Sequence, residues 1–538
     1  MKNSGNSNSQ AFREVHVVGA GLAGSECALQ LAKILGPLGI KIVLHEMRGS
    51  GSAEAPLNTP AHRTSDFAEL VCSNSFGSLA SHAAPGLLKW EAERLGSEIL
   101  DAALEARVPA GQALGMDRDV FARLMTKKVE NHPHIEIRRE LVATLDDVPR
   151  PTVVATGPLT HESLAKSMQE HFSKITGEDS NQKHDFLYFY DAIAPIIAAD
   201  SINDKIAWKA DRWDKGTKDY WNCPMSKKEY HFFIEALRDS RKVESKEFEK
   251  DFDKTPYFES CMPIEALLER GPMTLRFGPM SPKGLRDPRT GNTPFAVVQL
   301  RQDNREGTAY NMVGFQTKMA YGDQKKVFRL IPGLEEAEFL KLGSIHRNLY
   351  VNTPKLLNRD LSSKADPWLF FAGQITGVEG YFESTCMGLL VARLLSAKIE
   401  GLYSPDASDL DQAVNRDGET LLPPRETALG SLHAAITDET KISHFQPTNI
   451  NFGHMPDPQR FSEAAGVQRH ARIDKRVKRE EQISTAKARF SAWLGLPTSE
   501  APSRVELAAQ ALIDLENSPS PSPDSASDSA SDSLSAGT

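Results

Sequence analysis

Cysteine is scarce: five residues in 538, Cys27, Cys72, Cys223, Cys261 and Cys386, with no pair at C-x-x-C spacing. That excludes a disulfide framework and the common zinc-ligand patterns, and leaves each thiol as a buried hydrophobe or a reactive group. No stretch approaches the roughly 18 consecutive apolar residues that a membrane-spanning helix needs. Met1 to Gln10 is polar and rich in Asn and Ser, without the apolar centre of a secretory signal, which predicts a disordered leader over 1–12 and a cytoplasmic protein. No repeat of solenoid period is visible. The net charge of −9 lends no support to a nucleic-acid partner. Part of it sits in the tail, where Glu516, Asp524, Asp528 and Asp532 have no Lys or Arg among them, so the body is closer to balance and has room for a local phosphate-binding patch.

What is present begins at Val15-His-Val-Val, a short β-branched run that reads as a buried parallel strand. Gly19-Ala20-Gly21-Leu22-Ala23-Gly24 follows as G-x-G-x-x-G, and Cys27, Ala28, Leu31 and Ala32 then recur at helical spacing. Gly19 permits the tight strand-to-helix turn, Gly21 lets backbone approach a diphosphate, and Gly24 lets the helix pack on the strand. A helix N-terminus there offers N–H groups and partial positive charge to the diphosphate. The next apolar strand, Ile40 to Leu44, leads to Glu46, about 20 residues past the last of these glycines, where an acid accepts hydrogen bonds from a ribose. A bare glycine fingerprint says little; strand, helix, second strand and terminal acid together predict a dinucleotide-binding unit.

Further along, Cys72 lies in Cys-Ser-Asn-Ser, a loop or helix start where N–H groups can lower a thiol pKa. A helical region runs from Leu87 to Leu104, and another begins near Asp117 or Asp119. Pro151 to Pro158 reads as a buried strand ending in a glycine turn. Cys261 sits in Glu-Ser-Cys-Met-Pro-Ile-Glu, and basic residues thicken just beyond it: Arg270, Arg276, Lys283, Arg286, Arg289, Arg301 and Arg305. Either these form a solvated surface or they form a phosphate-backbone track beside a thiol. Trp368 to Ala372 is a second buried strand, followed by Gly373, a glycine-containing loop, Tyr381 and a helix through Leu395, so the chain returns to its first unit after an insertion. The basic run from Arg472 reads as the solvated face of a helix, and the Ser/Pro/Asp/Ala tail cannot bury enough apolar surface to order.

The predicted architecture is α/β: a Rossmann-like, two-dinucleotide-type FAD-binding domain with an inserted mixed α/β domain and a disordered C-terminal tail. Its segments are 1–12 leader, 13–184 first part of the FAD domain, 185–350 insertion, 351–515 return and C-terminal helices, and 516–538 tail.

Gly19-Ala-Gly-Leu-Ala-Gly24, Leu70-Val-Cys-Ser-Asn-Ser75, Glu259-Ser-Cys-Met-Pro-Ile-Glu265, Arg276-Phe-Gly-Pro-Met-Ser-Pro-Lys-Gly-Leu285 and Phe371-Ala-Gly-Gln-Ile-Thr-Gly-Val-Glu-Gly-Tyr381 together resemble the bacterial folate- and FAD-dependent tRNA uracil-5-methyltransferases. The resemblance covers roughly residues 15 to 455, and the two cysteine motifs are its most specific parts. It implies that FAD relays the methylene of 5,10-methylenetetrahydrofolate to C5 of a uridine in the tRNA T loop, with NADPH or NADH supplying electrons and no metal or membrane involved. It also implies Cys261 as the nucleophile that adds to uracil C6 and Cys72 as the base for the C5 proton, with the reverse assignment as the alternative. Gly19 to Gly24, Glu46 and Gly373 would bind cofactor, and Tyr381 would stack on flavin or base or serve as a core aromatic. The target uridine would be flipped out of its stack. Competing expectations are the same chemistry on ribosomal RNA, carboxymethylaminomethyl modification of a tRNA wobble uridine, and a small-molecule FAD/NAD(P)H oxidoreductase, which would need neither Cys72 nor Cys261.

Overall fold

The computed structural model describes residues 12–52, 55–59, 61–176, 186–213, 218–242, 262–415, 418–458, 475–496 and 502–517. Cys261 and nearly all of the expected leader and tail lie outside these residues.

β1 (Glu14–Val18) is buried on both faces, with Val15 and Val17 fully enclosed, and α1 (Leu22–Leu35) and β2 (Lys41–Glu46) follow as the sequence predicts. β2 pairs parallel with β1. Where one helical region is expected from Leu87 to Leu104, the chain makes two helices, α2 (Ala84–Arg94) and α3 (Glu98–Glu105). Gly96 at φ +74° ends the first, and the Ser97 hydroxyl accepts from the Leu100 N–H to cap the second. α4 (Arg118–Glu130) starts at Asp117, whose carboxylate accepts from the N–H groups of Asp119 and Val120. β3 (Ile135–Arg139) pairs parallel with β2, and β4 (Thr152–Val154) pairs parallel with β1 on its other side.

A separate six-stranded antiparallel sheet is built from β5 (Ile196–Ala198), β6 (Trp208–Lys209), β7 (Tyr220–Met225), β8 (Ala296–Gln302), β9 (Ala309–Met312) and β10 (Phe339–Lys341), in the spatial order β6-β7-β8-β9-β5-β10. Among the described residues, three helices lie between β7 and β8: α5 (Lys227–Asp239), α6 (Ile264–Glu269) and α7 (Thr274–Phe277). A capping box between Ser226 and Glu229 starts α5, which turns Tyr230, Phe233 and Leu237 into a core shared with Val298, Phe315 and Phe328.

The chain then returns. β11 (Ser344–Val351) pairs antiparallel with Phe186–Ile193, and β12 (Asp366–Phe371) pairs parallel with β4. The first sheet therefore runs Ser362–Ser363, β12, β4, β1, β2, β3. After a turn at Gly373–Thr376, α8 (Tyr381–Ile399) packs directly on α1. The approach depends on bare backbone: a Cβ at Gly388 would fall 2.2 Å from the Ala23 carbonyl oxygen. A fully buried ion pair, Lys398 Nζ to Asp360 Oδ2 at 2.6 Å, ties the far end of α8 to the segment before Ser362. Near the C-terminus, the helix Lys475–Trp493 exposes Lys475, Arg476, Arg479 and Arg489 and buries Ala486, Phe490 and Trp493, with Phe490 against Trp90. Among the described residues, no helix is long and apolar enough to cross a membrane.

Candidate active site

A cavity of about 410 Å³ opens at the C-terminal ends of β1, β2 and β4, where ligands bind in open parallel sheets. Its walls include Gly19, Gly21, Leu22, Ala23 and Glu46 from the fingerprint, Cys72 and Ser73, and Tyr381 from the start of α8. Ala20, Gly24 and Gly373 are not in the wall; they stand behind it. Gly24 is held by packing, since a Cβ there would lie 1.8 Å from the Gly19 carbonyl oxygen. Gly21 is different: a Cβ would meet nothing within 4 Å, so the space above the helix N-terminus is open. No side chain caps α1 and no acid lies in its first turn, which leaves that terminus to an anion.

Glu46 is almost fully buried and accepts from the Ala20 N–H at 2.8 Å, the Arg48 N–H at 2.9 Å and Arg48 Nε at 3.1 Å. Burial opposes its ionisation, but the Arg48 guanidinium and these N–H groups outweigh burial and hold the carboxyl below its usual range. Arg48 is itself buried in the wall, and among the described residues its Nη1 has no hydrogen-bond acceptor, the Glu69 carboxylate lying 3.7 Å away. The amide nitrogen of Asn348, also buried in the wall, is likewise without an acceptor. Two orphaned donors on one cavity mark it as a site for an acceptor-rich ligand. In the same wall, His45 Nδ1 meets Glu140 at 2.8 Å, and His45 Nε2 meets His16 Nδ1 at 3.0 Å. Glu140 only accepts, so His45 donates to it and receives the His16 N–H.

Cys72 lies in a loop, not at a helix start; a strand, Ser75–Ser78, follows it. Every residue around it is held. The Cys72 N–H donates to the Tyr381 hydroxyl at 2.6 Å, and its carbonyl accepts from Arg118 Nη2 at 3.0 Å. Arg118 Nη1 takes the Leu70 carbonyl at 2.8 Å, and Lys341 Nζ takes that of Val71 at 3.1 Å. Arg301 donates to Ser73 Oγ at 3.0 Å and to Asn74 Oδ1 at 3.1 Å. Asp303 fixes Arg118 through Nε at 3.1 Å and Nη2 at 3.0 Å. Burial, with Arg118 and Arg63 nearby, pushes the Lys341 ammonium down to about 8. Arg301 and Lys341 come from the antiparallel sheet and Asp303 directly follows β8, so that unit grips the loop of the first.

Tyr381 is the first residue of α8, and its ring meets Phe76 edge-on. The described chain resumes after Cys261 at Met262. Glu265, at the end of that motif, is buried and accepts from the Thr317 hydroxyl and the Lys318 N–H, pinning α6 to the antiparallel sheet's core. Cys27, Cys223 and Cys386 are buried, and burial pushes their thiols far up, as suits packing residues. The run of basic residues is not one track. Arg301 turns inward to the Cys72 loop, Arg289 pairs with Asp287 at 2.6 Å, and Arg305 Nη2 donates to the Glu105 carbonyl. Sequence reasoning missed Arg48, Arg118, Lys341 and Asn348. Arg48, two residues past the predicted acid, carried the only local signal.

Fold and cavity define a dinucleotide-binding flavoprotein of the kind whose diphosphate rests on α1. The sequence profile of the family described as glucose inhibited division protein A matches residues 14–402. Two crystal structures of Aquifex aeolicus GidA superpose with TM-scores of 0.57 and 0.53, covering 94% of this chain and 78% and 86% of theirs, at 16% and 14% identity. They show the fold. A methylenetetrahydrofolate--tRNA-(uracil-5-)-methyltransferase TrmFO of Bdellovibrio bacteriovorus is 61% identical over 481 residues, covering 89% of this chain and 98% of the relative. Those of Natranaerobius thermophilus and Sphingopyxis alaskensis are 45% and 48% identical, over 87% and 83% of this chain and 96% and 92% of theirs. Within the glucose inhibited division protein A family, the chain belongs to this methyltransferase family.

Proposed function

We propose that this chain transfers the methylene of 5,10-methylenetetrahydrofolate to C5 of a uridine in the T loop of tRNA and reduces it to methyl, with NADPH or NADH as electron source, in the cytoplasm. The observation that carries the reading is the placement of Cys72 on the wall of the same cavity as the glycine fingerprint, beside Tyr381. Identity of 61% to a relative of that name supplies the reaction class. FAD, when bound, accepts electrons from the nicotinamide and carries the one-carbon unit between folate and uracil.

The chain's residues fit that group. The N-terminus of α1 and the Arg48 guanidinium suit the diphosphate, Glu46 the ribose, and the Asn348 amide a ring carbonyl of the flavin. The thiolate of Cys261 adds to uracil C6, so that the C4 carbonyl takes up charge and C5 becomes nucleophilic. After the carbon is attached, Cys72 accepts the C5 proton, and the bond between C6 and Cys261 breaks to restore the ring. Tyr381 and Arg118 hold the Cys72 peptide from both ends, which keeps the thiol aimed at one point. The division into an FAD domain (13–184 with 351–515) and an insertion (185–350) belongs to the same proposal: the insertion bears the nucleophile, the FAD domain the base.

The test is one incubation of purified protein, NADPH, methylene-labelled methylenetetrahydrofolate and unmodified tRNA. Label recovered as 5-methyluridine in the T loop supports the reading. NADPH-dependent flavin reduction without label in tRNA overturns the target, and ribosomal RNA is then the substrate to try. Loss of product in Cys261→Ala with FAD retained supports the thiol's role.

A further inference from the structure

Trp213 has a backbone φ of +69°, a region that bulky residues rarely enter, and its N–H donates to the Gly284 carbonyl at 2.7 Å. Strain of this kind persists only where the surroundings enforce it. Yet the side chain packs into no core: it is 64% exposed. One part of the indole lies against the bare backbone of Gly284, where a Cβ would come within 2.9 Å of the ring, and Lys283 Nζ stands 6.0 Å from the ring centroid. Phe277, at the end of α7, is 75% exposed, and the Arg276 guanidinium lies 5.3 Å from its ring. Arg276 is oriented by its hydrogen bond to the Phe295 carbonyl. From residue 276 to 289 the chain has four basic residues (Arg276, Lys283, Arg286, Arg289) and one acid, Asp287, which Arg289 neutralises.

This surface is connected to the site. Arg212, next to Trp213, donates to the Gln299 carboxamide oxygen at 2.9 Å and to the carbonyls of Ser281 and Lys283. Gln299 and Arg301 are two residues apart on β8, so they share a face about 7 Å apart. Arg301 in turn holds Ser73, beside Cys72. α6 and α7 follow directly on the Cys261 segment. Exposed rings interleaved with cations are what an unpaired nucleic-acid strand requires: bases stack on the rings and phosphates meet the cations.

We propose that Trp213 and Phe277 are stacking platforms for unpaired bases of the RNA that flank the uridine presented to Cys72, with Lys283 and Arg276 on the adjoining phosphates. The proposal rests on the RNA-modifying reading above. The platform explains why a tryptophan is kept exposed in an unfavourable backbone conformation.

Fluorescence anisotropy of a labelled T-arm hairpin, titrated with the FAD-loaded full chain, tests it. Trp213→Ala should weaken binding about tenfold, the range for loss of one base–aromatic stack, and Phe277→Ala similarly. Trp213→Phe should restore most of the loss. Gly284→Ala, which sets a Cβ against the indole on a backbone at φ +80°, should weaken binding in the same sense. Lys283→Ala should reduce the slope of log affinity against log salt by about 1. Flavin content and unfolding temperature report whether each variant is folded. If wild type binds the hairpin and Trp213→Ala binds within about twofold of it, the platform is overturned while the RNA reading stands. If wild type does not bind, both fall.

Discussion

Arg301 reaches out of the antiparallel sheet to the Ser73 hydroxyl, 3.0 Å away, and so the residue after Cys72 is held by the sheet whose helices carry the Cys261 segment. In the proposed mechanism, the Cys72 loop is thereby positioned from the sheet whose helix α6 begins three residues after Cys261. Arg301→Ala should lower kcat for RNA methylation by about ten- to a hundredfold, since misplacing a reacting group by about 1 Å costs that much. Flavin content should be unchanged. Arg301→Lys cannot donate to Ser73 and Asn74 from a planar fork and should rescue only partly. Single-turnover kinetics with saturating folate, together with the pH profile of the methyl-transfer step, separate this from a general loss of folding.

The glycines of the fingerprint should fail in different ways. In Gly24→Ala the new Cβ meets the Gly19 carbonyl oxygen at 1.8 Å, so α1 must move off the sheet, at a cost of about 1–3 kcal/mol in stability. In Gly21→Ala the Cβ enters open space, so the apoprotein should melt at the wild-type temperature but bind FAD weakly. Thermal melts of apoprotein alongside flavin titrations check the contrast.

Acid should destabilise the fold through its buried histidines. Burial, followed by the charges of His45 and Arg138, lowers His16 to about 4, and burial lowers His433 to about 4 while its Nε2 meets the Arg359 carbonyl at 2.6 Å. Both are neutral in the native state, whereas in the unfolded chain they take up a proton below about 6.5. Stability should therefore be full above pH 6.5 and fall as the pH drops towards 4, by about 1.4 kcal/mol per pH unit for each group. Urea unfolding across that range measures the slope, and His433→Gln should reduce it.

Lys398 and Asp360 are both inaccessible to solvent, and the Tyr403 hydroxyl and Ser362 complete the carboxylate's hydrogen bonds. Lys398→Met strands a buried charge and should cost about 3–5 kcal/mol, while pairing it with Asp360→Leu should recover much of the loss. A double-mutant cycle by chemical denaturation gives the coupling.

Local pattern was enough for the βαβ unit, because each of its requirements is met by neighbouring residues: a β-branched strand, glycines at set spacing, an acid at the end of the next strand. The same holds for the returning segment from Trp368 and for the two thiol motifs, whose resemblance to a known enzyme family named the chemistry. The break between α2 and α3 was misread because Gly96-Ser97 lies within a periodic apolar run, where one glycine does not outweigh the pattern. For the basic residues after Cys261 the sequence left a solvated surface and a phosphate track both open, because linear spacing says nothing of which side of a strand faces another unit.

The sequence by itself determined the dinucleotide cradle, since strand, glycine turn, helix and acid lie close along the chain, and its motifs singled out the two thiols as candidates. Only the tertiary structure decided which residues hold Cys72. Arg118, Arg301, Asp303 and Lys341 lie between 46 and 269 positions from it along the chain. They meet at one loop because two units with separate cores touch there, and buried carbonyls and guanidinium groups must find partners across that junction wherever in the sequence these come from.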